Sequence, residues 1–83
     1  MSNVTKLNDR VDVIAVFTSK RNYPFSFSWG GRKYVVEKVN LVYSRQSGNG
    51  LIISYSVTAQ SNFFKLSFYT KEMEWRLEEM VTQ

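Results

Sequence analysis

Along most of the chain the apolar residues recur at every second position. Period-two alternation marks a strand, whose side chains point in turn to the two faces of a sheet. Leu51–Ala59 is the cleanest case, with Leu51, Ile53, Tyr55, Val57 and Ala59 on one face and Ser54, Ser56 and Thr58 on the other. Phe63–Thr70 repeats it, placing Phe64, Leu66 and Phe68 inward and Lys65 and Ser67 outward. In Pro24–Trp29, Phe25, Phe27 and Trp29 alternate with Ser26 and Ser28, and Gly30-Gly31 follows at once. Two glycines between such runs predict a hairpin with a type I′ or II′ turn, whose return arm starts at Arg32. Phe25, Phe27 and Trp29 are then the anchor of the core. Val11–Thr18 carries apolar groups on both faces, as a strand covered on both sides does.

Two segments are less regular. The arm from Arg32 to Tyr43 is long for one strand, and its alternation changes parity between Tyr34/Val36 and Val39/Leu41/Tyr43. A β-bulge near Glu37–Asn40 would produce that change of face. Glu72–Val81 fits two patterns. As a helix it aligns Met73, Leu77 and Met80; as a strand it aligns Trp75, Leu77, Glu79 and Val81 against Glu74, Arg76 and Glu78. The short Lys71-Glu72-Met73 connection to the preceding run favours the strand.

Short turns at Ser19–Pro24, Arg45–Gly50 and Gln60–Asn62 separate these runs, and no long crossover intervenes. The fold class expected is all-β: a small antiparallel meander of about six strands, curled into a barrel or half-barrel, since closure removes exposed edges. Residues 1–8 are polar and aperiodic and are expected as a loose leader, with 9–83 forming a single β domain.

Composition supports a core of large side chains. The 83 residues include six Phe, five Tyr and two Trp, and each buried aromatic removes roughly 150–250 Å² from water. There is no Cys and no His, which excludes disulfides, thiolate zinc sites and every catalytic triad with an imidazole base. The carboxylates have neither EF-hand spacing nor a nucleophile or phosphate-cradling loop beside them. The chain is therefore expected to be non-enzymatic and to need no metal or cofactor. The longest apolar run, Val13–Phe17, is far short of the ~20 residues of a membrane span, and the N-terminus lacks the apolar stretch of a signal peptide; a cytoplasmic location without membrane contact is expected.

Charge changes the picture more. The net charge is +4, concentrated in the first 50 residues, and it points to a polyanionic partner. Lys20, Arg21, Arg32, Lys33 and Arg45 flank turns and are interleaved with Tyr23 and Tyr34. Cations that engage phosphates and aromatics that stack on bases hold single-stranded nucleic acid on open β surfaces, so these seven residues are the candidate nucleic-acid site. The alternative is a protein-interaction or self-associating module, in which Phe63, Phe68, Tyr69 and Trp75 remain accessible on a thin sheet.

The motif Pro24-Phe25-Ser26-Phe27-Ser28-Trp29-Gly30-Gly31-Arg32-Lys33-Tyr34-Val35-Val36-Glu37-Lys38-Val39 resembles a group of short, uncharacterised bacterial β proteins. They share Phe-x-Trp-x-Gly-Arg-x-Tyr-x-Val-x-x-Val after a proline. It is similar also to the C-terminal tail of polymerase-like accessory proteins of lesion bypass. Tyr55–Ala59, Phe64–Phe68 and Trp75-Arg76-Leu77 follow the group's later order, while Tyr43 stands where a Trp is usual. The resemblance implies a small β domain and an association with DNA repair; it transfers no activity and no site.

Overall fold

The structure, a computed structural model, describes residues 3–82. Its seven strands are β1 (Asn3–Phe17), β2 (Asn22–Trp29), β3 (Arg32–Val35), β4 (Lys38–Ser47), β5 (Gly50–Ala59), β6 (Asn62–Tyr69) and β7 (Glu74–Thr82). They form one antiparallel sheet in the order β3-β2-β1-β7-β6-β5-β4. The long β1 joins its two halves. Residues from Asn3 to Val11 pair with β7, and residues from Asp12 to Phe17 turn to β2.

The meander has seven strands rather than six because the Arg32–Tyr43 arm is broken. Over two residues the backbone changes partner: Val36 N–H donates to Phe25 C=O at 2.9 Å, and Glu37 N–H donates to Thr58 C=O at 2.8 Å. The expected bulge lies just beyond, where the register of β4 against β5 shifts between Val39 and Leu41. Among the described residues the sheet is not closed: β3 and β4 stand at the two ends of the strand order with no ladder between them, and each half of β1 is paired on one side only. Residues 3–8, expected as a leader, are the first part of β1 and pair with β7 through Asn3↔Thr82 to Lys6↔Glu79; Met1 and Ser2 lie outside the described residues. Glu74–Thr82 is a strand, held on both sides by β1 and β6.

The core forms where the β2–β3 hairpin lies across the inner face of β5–β7. Phe27 and Tyr34, opposite each other in the hairpin, stack with centroids 5.0 Å apart. Both meet Phe64 edge-on, at 5.2 and 5.3 Å. Tyr55, Val57, Ala59, Leu66 and Leu77 complete the buried cluster. Gly30 and Gly31 both take positive φ, +60° and +76°, the conformation a type I′ turn demands of both central residues. Trp29 packs against this cluster and donates its indole N–H to Asp9 Oδ2 at 3.0 Å.

Phe25 departs from the expected core. The partner of β1 jumps from Ser26 to Pro24, so Phe25 is the extra residue of a bulge and remains 47% exposed while Pro24 and Ser26 are buried.

Candidate binding surfaces

Two basic pairs sit at opposite ends of β2. Lys20 and Arg21 precede its first residue, and Arg32 and Lys33 follow the turn after its last. Its eight residues separate the two pairs by roughly 23 Å, at about 3.3 Å per residue. Tyr34, placed in the nucleic-acid site by its sequence position, is buried and stacked on Phe27, so its ring is not available to a base. Arg45 belongs to the far sheet edge. The structure therefore does not gather the seven candidates into one surface. It does gather Arg21 and Tyr23, whose guanidinium carbon lies 4.6 Å from the ring centroid. Both line a notch of about 320 Å³ with Lys38, Glu37, Val36 and Val39.

A second polar constellation covers the outer face of β5–β7. Opposite Lys65 and Leu66, the register on β7 skips from Glu79 to Leu77, which makes Glu78 the extra residue of a bulge. Glu78 and Glu79 both face outward as a result, contrary to the simple alternation. Ser67 Oγ donates to Glu78 Oε1 at 2.7 Å, the Tyr69 hydroxyl donates to Glu78 Oε2, and the buried Ser54 and Ser67 hydroxyls bond at 2.8 Å. Lys65 Nζ lies 3.7 Å from the same carboxylate and sits over the Tyr43 ring. Burial alone would raise the Glu78 pKa. Hydrogen bonds from Tyr69 and Ser67 and the charges of Lys65 and Arg45 outweigh it and hold the carboxyl below its ordinary value. Burial, then the Glu78 hydrogen bond, raises the Tyr69 phenol. Every donor here has a partner within the sheet, so this layer is a fastening between strands.

The four aromatic candidates also divide. Phe68 and Trp75 pack together, centroids 5.0 Å apart, and Trp75 also meets Tyr55 at 5.6 Å. Tyr69 is bonded to Glu78 and lies under Arg76. Only Phe63 is exposed, at the far end of β6, opposite Thr58 and Val81.

A further unpartnered feature lies on β4. β4 is an edge of ten residues, paired on one side with β5, and all of it except Val39 is exposed. Leu41, Val42 and Tyr43 are 57%, 51% and 39% exposed at its centre. Leu41 and Tyr43 oppose Ser56 and Ser54 on the outer face, while Val42 opposes Tyr55 on the inner face, beyond the reach of the β2–β3 hairpin. A strand that is apolar on both faces is ordinarily an interior strand. That pattern was legible in the sequence as the run Leu41-Val42-Tyr43, but parity alone assigns such a run to one face or the other.

Comparison of the chain with known protein families, with curated proteins and with solved structures finds no match in any of the three.

Proposed function

We propose that this chain is a non-enzymatic β module that works by associating with another protein along the free β4 edge. The supporting observation is the Leu41-Val42-Tyr43 stretch, exposed at the centre of an edge strand whose outward N–H and C=O groups have no neighbouring strand among the described residues. Such an edge is a template for one more strand: main-chain hydrogen bonds supply affinity and alternate side chains supply selectivity. Of the other one-sided strands, β3 has only four residues, and the part of β1 paired only with β7 is polar except for Val4, Leu7 and Val11. A photo-crosslinking amino acid placed at Val42, with Arg32 as the control position, tests this. Protein adducts at Val42, followed by binding of the purified adduct partner to the unmodified chain, are expected. Nucleic-acid adducts at Arg32 with none at Val42 would overturn it.

A second reading, nucleic-acid binding in a repair or processing context, is supported by the convergence of Arg21, Tyr23 and Lys38 on one notch. It accounts for fewer of the exposed features, because Arg32 and Lys33 lie at the other end of the hairpin. Titration with a single-stranded oligonucleotide at low salt would show binding that is lost in the Arg21→Glu, Lys38→Glu variant. No binding at low salt would sink it.

A further inference from the structure

We infer that the partner taken up by β4 is an acidic extended segment, apolar at its centre with a carboxylate at each end. This rests on the association proposed above and adds the chemistry of the occupant. Pairing with β5 places Lys38, Leu41, Tyr43 and Arg45 on one face, opposite Thr58, Ser56, Ser54 and Ile52. The edge thus presents a cation, two apolar groups and a cation in sequence. The Asn40 bulge absorbs the odd residue between Lys38 and Leu41. A regular strand of seven residues matches this face when it reads carboxylate, apolar, apolar, carboxylate at alternate positions.

Complementary charge selects this occupant over a second copy of the chain. β4 contains no carboxylate. The nearest along the chain, Glu37, is already engaged, accepting from Gln60 N–H at 3.0 Å, and Glu78, the carboxylate that feels the charge of Arg45, already accepts from Ser67 and Tyr69. An antiparallel pair of β4 strands would bring four cations to one seam without adding a carboxylate to it, and the net charge of +4 per chain opposes the encounter at longer range. An acidic segment is instead drawn toward the edge, and carboxylates opposite Lys38 and Arg45 fix its register.

Two synthetic peptides test the assignment: Glu-Thr-Val-Thr-Ile-Thr-Glu, and the same sequence with lysine at both ends. Binding is followed by amide chemical shifts of the whole chain, with its mass measured by sedimentation. The glutamate peptide is expected to shift β4 and its β5 neighbours and to bind about tenfold more tightly than the lysine peptide. That preference should shrink as salt rises from about 50 mM to about 500 mM. Lys38→Glu with Arg45→Glu, at two exposed positions, should reverse the preference while leaving the shifts of Phe64 and Leu66 in place. Equal affinity for the two peptides overturns the acidic assignment. A concentration-dependent dimer with β4 at its interface and no response to peptide also overturns it, while leaving association along β4 standing. A monomer that responds to neither peptide, and whose Val42 crosslinks to no protein, overturns both.

Discussion

Replacing Phe64 by alanine removes the ring on which the two halves of the sheet meet. Phe64 is 2% exposed, and its ring lies within 6.5 Å of Phe27, Tyr34 and Trp29, all from the hairpin. Losing some 150 Å² of buried apolar area costs about 4 kcal/mol at ~25 cal/mol per Å², and measured Phe→Ala losses run at about 3–5 kcal/mol. A chain of this length is stable by only about 4–12 kcal/mol in total, so the variant should be folded but close to its limit. With a urea slope of about 1–2 kcal/mol per M, the midpoint should fall by roughly 2–4 M. Two indoles report on the transition: Trp29 near the lost ring and Trp75 against Tyr55 and Phe68. Phe64→Leu should recover more than half of the loss. A destabilisation below about 1 kcal/mol with an unchanged slope would mean that the hairpin does not cover Phe64, and the packing described above would be wrong.

Other variants separate neighbouring residues. Phe25→Ser should cost under about 1 kcal/mol, because the bulge leaves this ring half in water, whereas Phe27→Ala two positions on should cost about 3–5 kcal/mol; equal losses would contradict the bulge. Glu78→Gln should cost about 1–3 kcal/mol by leaving a donor of the Tyr69–Ser67 pair without an acceptor. Because folding lowers the Glu78 pKa, its contribution is present above the ordinary carboxylate value, near 4.3, and is lost as pH falls through the folded value. Acid titration of stability should therefore be shallower in Glu78→Gln than in the parent chain, and identical profiles would remove the carboxylate from the account. Met73, exposed and at φ +56°, occupies left-handed backbone; Met73→Gly should be neutral or stabilising by up to about 1 kcal/mol in thermal unfolding, and a loss would show that its side chain makes a contact of consequence.

The Gly30-Gly31 hairpin, the alternation of Leu51–Ala59 and Phe63–Thr70, and the bulge near Asn40 were all readable from the sequence. Each rests on local rules: turn residues that accept positive φ, period-two burial, and a parity change that one extra residue explains. Other features depend on which strand a residue meets. Nothing local to Val36-Glu37 announces that the backbone leaves β2 for β5 there. Phe25 alternates correctly with Phe27, but the partner register on β1 drops a residue at that point and turns it outward. The first residues of β1 are polar because they pair at a face open to water, so polarity there read as a leader. Tyr34 illustrates the same limit for the site: flanked by cations in sequence, it is the hairpin's inward contact with Phe64. Accessibility of an edge is a property of the whole strand order, and only that order places Leu41, Val42 and Tyr43 beside an empty position.

Amide hydrogen exchange along β4 tests the central claim most directly. In a strand bonded on one side, alternate N–H groups point to the neighbour and exchange slowly, while the others face water and exchange fast. The free chain should show that alternation from Leu41 to Ser47, and saturating Glu-Thr-Val-Thr-Ile-Thr-Glu should slow the fast set selectively. Protection of every β4 amide in the free monomer would mean that the edge is already covered. A fast set that the peptide leaves unchanged would mean that β4 does not accept the acidic strand.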